Sequence, residues 1–210
     1  MNNLENIYTD LHILPRDEQG WNGNSIVFRD LINELKPNTI IEVGSWKGQS
    51  SINMGLCLKA NGIPGKIYCV DTWLGAAEFW NELAHTPERD LLLKNGYPQI
   101  FYQFLSNVVH NNLQDIIIPF PNTSLIGAKY LKYNKITSNL IYIDASHEEL
   151  DVYNDLVAYY DLLQPGGVMF GDDFHAWPGV YAAVNRFARE NEFDITIQIL
   201  ESNFWILRKK

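Results

Sequence analysis

Hydrophobic positions along this chain follow two alternating patterns. Short apolar runs of strand length, such as residues 116–120 and 140–143, are separated by longer segments in which apolar residues recur every three or four positions. The second pattern predicts helices that bury one face, because about 3.6 residues complete a helical turn. Strands that alternate with helices form parallel βαβ units, so we predict a doubly wound α/β fold.

The end of the chain departs from this order. Apolar and polar residues alternate over residues 195–200 and again over 204–207, with the polar residues 201–203 between them. Alternation is the period of a half-buried strand, and a short polar connection between two such strands is typical of a β-hairpin. We therefore predict that a C-terminal hairpin closes the sheet.

Two further segments do not fit the strand and helix pattern. Residues 1–23 are polar and are interrupted by proline and glycine, which predicts an irregular arm. Residues 72–114 are more than one crossover helix requires and are rich in aromatic side chains. Because ligands of α/β sheets bind at the carboxyl ends of the strands, we predict that residues 73–97 form a lid over the substrate, with His85 and Arg89 as polar contacts. Ordinary core packing is the alternative for the aromatic residues of this segment.

Composition and charge narrow the class of ligand. The 210 residues suffice for one α/β domain over residues 1–210, and 46% of them are hydrophobic. A net charge of −9 disfavours nucleic acid and anionic membranes, which bind clustered Lys and Arg, so we expect a small-molecule substrate and leave a homo-oligomer open. Cys57 and Cys69 lack metal-binding spacing, and no long apolar run or basic leader is present, which together predict a cytoplasmic protein without a membrane span.

The most informative segment is residues 41–51, IEVGSWKGQSS. A buried strand ends here, Gly44 and Gly48 mark a turn, and a helical apolar period begins after the turn. Glycine lets the backbone approach a ligand closely, and the free N–H groups of the first helical turn favour an anionic group. The bulky residues 45–47 stand between the glycines, where a dinucleotide would require G-x-G-x-x-G, so the pattern disfavours NAD.

The pattern E-x-G-x-x-x-G-x-S resembles the first motif of class I S-adenosylmethionine-dependent methyltransferases, in particular the branch that includes catechol O-methyltransferase. The resemblance implies that S-adenosylmethionine is the cofactor and that the glycine turn holds its methionine part. It also implies that an acidic residue at the end of the next strand accepts hydrogen bonds from the ribose hydroxyls, and that the turn after the third strand flanks the adenine. The cofactor-binding residues implied in this way are Glu42, Gly44, Gly48, Ser50, Asp71, Thr123 and Ser124.

The same resemblance covers about residues 24–208 and refines the fold. In this family the last strand inserts antiparallel, which implies a Rossmann-like doubly wound sheet of seven strands with an antiparallel C-terminal hairpin strand. A purely structural interpretation stays open at two places. The glycine segment is also compatible with an ordinary α/β turn, and Ser124 is also suited to cap a helix while Thr123 faces the base.

Aspartates follow two strands that are neighbours in such a sheet. Asp144 ends the fourth strand, and Asp172 and Asp173 end the fifth. Adjacent strand ends lie about 5 Å apart, so these carboxylates converge, and their mutual repulsion requires protons or a metal ion. Oxygen ligands without cysteine favour a hard ion such as Mg²⁺. The alternative is that these aspartates are only turn and cap residues.

The surrounding segments carry a second resemblance. IDASHEELDVYNDL and LLQPGGVMFGDDF resemble small bacterial Mg²⁺-dependent O-methyltransferases that act on sugars of natural products and on related hydroxyl substrates. The resemblance implies that Asp144, Asp172 and Asp173 bind the metal.

A histidine follows the first of these aspartates. Ser146 and Glu149 match a capping box, which predicts Ser146 as the N-cap and His147 as the first residue of a helix. In catechol O-methyltransferase the residue three positions after the metal-binding aspartate is the lysine that takes the substrate proton. We therefore predict His147 as the general base beside Asp144, and these two are the predicted catalytic residues. The alternative is that His147 only packs beside the cap.

These observations together predict an enzyme. We expect an S-adenosylmethionine-dependent O-methyltransferase that transfers a methyl group, with the assistance of Mg²⁺, to a hydroxyl of a sugar or natural-product type of molecule. A non-catalytic binding protein on the same fold is one alternative. The other is a metal-dependent hydrolase, which would leave the glycine turn unexplained and would use Asp144, Asp172, Asp173, His147 and His175.

Overall fold

The structure is a computed structural model that describes residues 7–81, 86–192, 195–198 and 204–210. Two short 3₁₀ helices, Ala77–Trp80 and Pro87–Arg89, follow the second strand. None of the described helices has the length and apolar character that crossing a membrane requires. The helices are α1 Ile26–Leu35, α2 Gln49–Ala60, α3 Ile100–His110, α4 Ser124–Tyr133, α5 Glu149–Tyr160 and α6 Pro178–Glu190. The strands are β1 Thr39–Val43, β2 Lys66–Asp71, β3 Ile117–Pro121, β4 Ser138–Ile143, β5 Leu163–Gly171, β6 Ile195–Gln198 and β7 Phe204–Arg208.

The described strands form one seven-stranded sheet in the order β3-β2-β1-β4-β5-β7-β6. The first five strands pair in parallel, whereas β7 is antiparallel to both β5 and β6. The strand order reverses between β1 and β4, and at such a switch point a crevice forms outside the carboxyl ends of the strands. The predicted doubly wound α/β fold with an antiparallel C-terminal hairpin is confirmed; the connection of the hairpin, residues 199–203, lies outside the described residues.

Helices cover both faces of the sheet. Apolar residues of α1, α2 and α3 pack on one face, and those of α4, α5 and α6 pack on the other. Successive residues of a strand point to opposite faces, so Ile40 lies in the first core and Ile41 in the second. At the centre of the first core, the Phe28 ring packs edge-on against Tyr142 and Phe170, with ring centroids 4.9 and 5.4 Å away. The interdigitated rings fix the spacing between α1 and the two strands that carry the carboxylates.

The described part of the arm, residues 7–23, contains turns and bends but no helix or strand. The Asn107 side chain on α3 donates from Nδ2 to the carbonyl oxygen of Asp17 at 2.6 Å. The Lys47 ammonium, whose side chain is only 2% exposed, pairs with the Asp17 carboxylate at 2.7 Å. An unpaired buried charge is costly, so this ion pair fastens the arm to the turn that precedes α2.

Some residues of the predicted lid pack in the core, and others line the wall of a cavity. Trp73 is buried and donates its indole N–H to the carbonyl oxygen of Trp46 at 2.8 Å, so the prediction that it belongs to a lid is wrong. Phe79 packs edge-on against the Trp46 ring, with centroids 4.9 Å apart, and lines the cavity. Residues 82–85, which include the predicted contact His85, lie outside the described residues.

Candidate active site

Two glycines with left-handed backbone angles shape the turn between β1 and α2. Gly44 has a φ of 87° and Gly48 a φ of 92°, values that residues with a Cβ rarely adopt. A Cβ on Gly44 would lie 2.1 Å from the carbonyl oxygen of Asp144, so the turn passes the end of β4 with no room for a side chain. A Cβ on Gly48 would meet the Phe104 ring at 3.0 Å. Gly48 therefore faces the core and does not line the cavity, contrary to the predicted contact with a cofactor.

Glu42 stabilises this turn from inside the protein. Its fully buried carboxylate accepts hydrogen bonds from the hydroxyls of Ser45 at 2.6 Å and Ser50 at 2.5 Å, and also from Ser51. Burial raises the pKa of Glu42, and the three hydroxyl donors partly offset this rise. Glu42 lies on the same side of β1 as the core residue Ile40 and does not line the cavity, so the predicted direct contact between Glu42 and a cofactor is wrong. Its role is to position the serines.

Asp71, at the end of β2, supports the same turn from the cavity side. Its Oδ2 accepts hydrogen bonds from the backbone N–H groups of Ser45 at 2.8 Å and Trp46 at 2.9 Å, and its Oδ1 accepts one from Trp73 at 2.7 Å. Burial raises the pKa of this carboxyl, and the three N–H groups act in the opposite direction. Asp71 also lines the cavity, so the same carboxylate shapes the turn and faces any ligand that lies on it.

A cavity of about 620 Å³ opens at the carboxyl ends of the parallel strands. A volume of this size suits a cofactor-sized ligand. Sequence analysis missed the contribution of the arm, whose residues 20–23 form one wall. No motif marks those residues, since they reach the cavity only through the folding of the arm across α3. The predicted site residues that do line the cavity are Gly44, Ser50, Asp71, Thr123, Ser124, Asp144, His147, Asp172 and Asp173.

The turn after β3 carries a helix cap and a buried acid. The Thr123 hydroxyl accepts a hydrogen bond from the Ile126 N–H at 3.4 Å, so Thr123 caps α4 and the predicted cap at Ser124 is wrong. Ser124 begins the helix, and its side chain hydrogen-bonds to Asp155 of α5. Asp155 is only 3% exposed, and burial raises the pKa of its carboxyl to about 6. Sequence analysis did not single out this acid because it lies within an amphipathic helix.

Three side chains at the ends of β4 and β5 form a candidate metal site. Asp144, His147 and Asp173 each offer one ligand atom, and these atoms lie within 4.8 Å of one another. The Tyr142 hydroxyl donates to Asp144 Oδ2 at 2.8 Å and orients that carboxylate. Burial, followed by the neighbouring charge of Asp173, raises the pKa of the Asp144 carboxyl. A divalent cation bound between these side chains would stabilise the ionised carboxylates, so the raised pKa of Asp144 fits a cation site.

Asp172 is turned toward the arm. Its Oδ2 accepts a hydrogen bond from the Asn22 amide at 2.7 Å, and its Oδ1 accepts one from the backbone N–H of Asp173 at 2.7 Å. Within the described chain, the geometry thus brings His147 rather than Asp172 together with Asp144 and Asp173. The predicted set of three aspartates differs because Asn22, a residue 150 positions away, competes for the Asp172 carboxylate.

His147 lies in a loop and not at a helix terminus. Helix α5 begins at Glu149 with Glu148 as its N-cap, so the predicted cap at Ser146 and the helical position of His147 are wrong. The Ser146 hydroxyl instead accepts from the backbone N–H of Glu148 at 3.3 Å, which closes a short turn. The imidazole stacks on the Trp177 ring, with ring centroids 4.3 Å apart.

Acidic neighbours decide the charge of this histidine. The Nε2 atom lies 3.0 Å from Asp173 Oδ2, and the Nδ1 atom lies 3.9 Å from Glu78 of the lid. Burial lowers the pKa of His147, but the hydrogen bond to Asp173 and the charges of Asp173, Asp144 and Glu78 outweigh burial and raise the pKa. A helix dipole does not act to keep the ring neutral, because the ring does not lie in the first turn of a helix.

Negative charge dominates the cavity. Arg89 is the one Lys or Arg among its described lining residues. His175, which the hydrolase alternative requires, is exposed, lies outside the cavity and packs near Phe174, with ring centroids 5.0 Å apart. Such an environment favours ligands with positive charge, which include a sulfonium compound and a divalent cation. Among the described lining residues, seven carry a carboxylate: Asp71, Glu78, Asp144, Asp151, Asp155, Asp172 and Asp173.

Comparison with protein families gives one match. The family described as "Methyltransferase domain" matches residues 41–174, a span that contains the glycine turn, Asp71 and the acidic strand ends. No curated protein is similar enough in sequence to match the chain.

Solved structures of methyltransferases share the fold. An O-methyltransferase from Bacillus cereus in complex with S-adenosylhomocysteine is 15% identical with a TM-score of 0.60, and the match covers 99% of this chain and 89% of that chain. The O-methyltransferase NovP is 15% identical with a TM-score of 0.66 over 88% and 78%. CalS11, described as a TDP-rhamnose 3′-O-methyltransferase, is 16% identical with a TM-score of 0.60 over 87% and 77%. At these identities the likeness concerns the fold alone.

The raised pKa of Asp155 predicts a pH dependence of stability. Because the pKa is about 6 in the folded protein, above the usual value of 3.8, folding binds a proton, and this contribution is complete below pH 4 and lost as the pH rises through 6. Asp155→Asn cannot lose that proton. Urea unfolding of both proteins from pH 4 to 7 should therefore show the variant gaining up to about 3 kcal/mol relative to the parent. A difference that stays constant with pH would contradict the assignment.

Proposed function

The chain belongs to the methyltransferase domain family and is an S-adenosylmethionine-dependent methyltransferase; we propose that it methylates a hydroxyl of a small molecule with the assistance of Mg²⁺. The observation that carries the proposal is that one cavity joins the glycine turn and Asp71 to the group of Asp144, His147 and Asp173. A methyl donor on the turn and an acceptor beside the acidic group would therefore meet within one enclosed volume.

The residues around the glycine turn fit the cofactor. Gln49 and Ser50, the first residues of α2, line the cavity, and we propose that backbone N–H groups of this turn bind the carboxylate of the methionine part. Asp71 presents a carboxylate that is already fixed by three N–H donors, and we propose that its remaining acceptor capacity binds the ribose hydroxyls. Thr123 and Ser124 would then flank the adenine.

The acidic group fits a divalent cation, and we propose that Asp144, His147 and Asp173 hold it with Asp172 close by. When bound, S-adenosylmethionine supplies an electrophilic methyl group, and Mg²⁺ supplies positive charge that lowers the pKa of a nearby hydroxyl. The chain itself would align donor and acceptor in the cavity between arm and lid, and such positioning accounts for much of the rate of a transfer reaction.

His147 has two roles open to it at this site. With Nε2 directed at Asp173, the Nδ1 atom is the ring nitrogen able to receive the proton of the acceptor hydroxyl. Glu78, 3.9 Å from Nδ1, would stabilise the imidazolium that results. The same ring also belongs to the three-ligand group, so it is equally placed to bind the cation. A magnesium titration separates these roles.

The acceptor is proposed as a sugar or natural-product hydroxyl. Solved structures with the same fold are described as O-methyltransferases, which supports a hydroxyl as the methylated group. A hydrolase that uses His175 finds no support, since that residue is exposed and outside the cavity. A binding protein without activity would predict no methyl transfer to any hydroxyl acceptor.

Removal of the metal should abolish turnover. We expect methyl transfer, measured with labelled S-adenosylmethionine, to stop in excess EDTA and to return on addition of Mg²⁺. Asp144→Asn should be inactive while it still binds S-adenosylhomocysteine, because Asp144 is assigned to the cation and not to the cofactor. Full activity in EDTA would refute the role of the metal.

His147→Ala distinguishes a base from a ligand. If His147 is the base, added Mg²⁺ cannot replace it. The kcat at saturating Mg²⁺ should then fall by about 10²–10⁴, and the half-saturating Mg²⁺ concentration should stay the same. Loss of a ligand would instead raise the Mg²⁺ requirement, and excess Mg²⁺ would restore kcat. His175→Ala is the matched control and should leave both quantities unchanged, because His175 lies outside the cavity.

Asp71→Asn tests the ribose contact. Asp71 also shapes the turn, so a lower affinity of the variant for S-adenosylhomocysteine does not by itself show a ribose contact. A double-mutant cycle that uses a 2′,3′-dideoxy analogue of S-adenosylhomocysteine isolates the interaction between Asp71 and the ribose hydroxyls. We expect a coupling of about 1.5–3 kcal/mol between the substitution and the missing hydroxyls, measured by calorimetry. Equal losses for both ligands would restrict Asp71 to the support of the turn.

A further inference from the structure

We propose that the acceptor binds in a subsite between the arm and the lid, walled by Trp21, Phe79 and Trp177, and that this subsite accepts neutral or cationic ring compounds and rejects anionic ones. The inference rests on the proposed function, since it takes the acceptor hydroxyl to lie beside His147. The proposal defines the class of acceptor by charge and shape, and it assigns the charge preference to Glu78.

Two tryptophans at the cavity are only partly buried. Trp21 is 47% exposed and Trp177 is 39% exposed, and both line the cavity. The Trp21 ring packs against two neighbours, with its centroid 6.1 Å from that of Trp46 and 6.0 Å from that of Phe79. A rigid indole face toward a cavity suits the apolar face of a ring compound, which gains contact area at a small cost in side-chain entropy.

Trp177 contacts the acidic group directly, and the neighbour of Trp21 in the chain contacts the adjacent Asp172. Trp177 stacks on His147, with ring centroids 4.3 Å apart and planes inclined by 13°. On the opposite side, Asn22, the neighbour of Trp21, donates to Asp172 at 2.7 Å. A ring that packs on either indole would thus lie in the same cavity as the side chains assigned to the transfer.

The charges around this subsite disfavour an anion. Glu78 of the lid lies 3.9 Å from the His147 ring, and the Asp172 carboxylate faces the arm. The Arg89 guanidinium lies over the Phe79 ring at 5.7 Å from its centroid and is the one Lys or Arg among the described lining residues. A carboxylate or phosphate on the part of the acceptor that lies beside Glu78 would face that negative charge, which the proposed Mg²⁺ at Asp144, His147 and Asp173 does not neutralise, whereas an ammonium group would gain from the same charge.

The test uses three probes that share one ring and two adjacent hydroxyls and differ in charge: 4-methylcatechol is neutral, dopamine is cationic, and 3,4-dihydroxybenzoate is anionic. Calorimetry first measures S-adenosylhomocysteine binding and then titrates each probe into protein saturated with S-adenosylhomocysteine and Mg²⁺. The shared hydroxyls cancel in the comparison. We expect 4-methylcatechol and dopamine to bind at least about tenfold more tightly than 3,4-dihydroxybenzoate.

Two variants and a control assign the effect to residues. Glu78→Gln should reduce the ratio of the affinity for dopamine to the affinity for 4-methylcatechol by about fivefold. Trp21→Ala should weaken all three probes by about tenfold, since it removes the shared ring contact. Trp80→Ala is the control, because Trp80 is also in the lid and 49% exposed but does not line the cavity. It should change none of the affinities.

The possible failures are separable. If S-adenosylhomocysteine does not bind, the proposed function fails. If it binds but 3,4-dihydroxybenzoate is the tightest probe and Arg89→Gln abolishes that preference, the acceptor is anionic and the charge selection is overturned. Binding of none of the probes to the loaded protein, or equal effects of Trp80→Ala and Trp21→Ala, would overturn the subsite itself.

Discussion

The whole site depends on the close approach of two backbone turns. The N–H of Asp144 donates to the carbonyl oxygen of Val43 at 2.8 Å, and the next residue, Gly44, passes so near that a Cβ would lie 2.1 Å from the Asp144 carbonyl oxygen. A side chain at Gly44 would force the ends of β1 and β4 apart. Because these strands stand at the switch point of the sheet, their contact places the glycine turn and the acidic group on opposite sides of one crevice.

Carboxylates lie on both sides of the crevice, but their surroundings differ between the two sides. At the turn, hydroxyl donors fix Glu42 and N–H donors fix Asp71, and these donors partly offset the effect of burial on both pKa values. At the ends of β4 and β5, the carboxylates instead face one another and His147, and the charge of Asp173 adds to burial in raising the pKa of Asp144. The first arrangement holds the turn in place, and the second suits binding of a cation.

The arm contributes to the site together with the glycine turn and the strand ends. It is an irregular segment, yet the buried pair of Lys47 with Asp17 holds it against α3 and the glycine turn. From there Asn22 reaches Asp172, so the arm contacts both the cofactor side and the acidic side of the cavity. A ligand that fills the cavity would contact the arm, the lid and the strand ends together. Binding of the ligand would therefore restrain the positions of all three segments.

Local patterns in the sequence determined the elements, their order and the positions where strands end in glycine or aspartate, because period and turn chemistry act between residues close in the chain. Family resemblance supplied the cofactor and the metal, and the family match agrees with a methyltransferase. Tertiary structure alone decided the direction of each side chain. It turned Glu42 inward to three serines, exchanged Asp172 for His147 in the ligand group and brought Trp21 to the cavity. These outcomes depend on partners as far apart as Asn22 and Asp172, and contacts at such separation exist only once the sheet and the arm have packed.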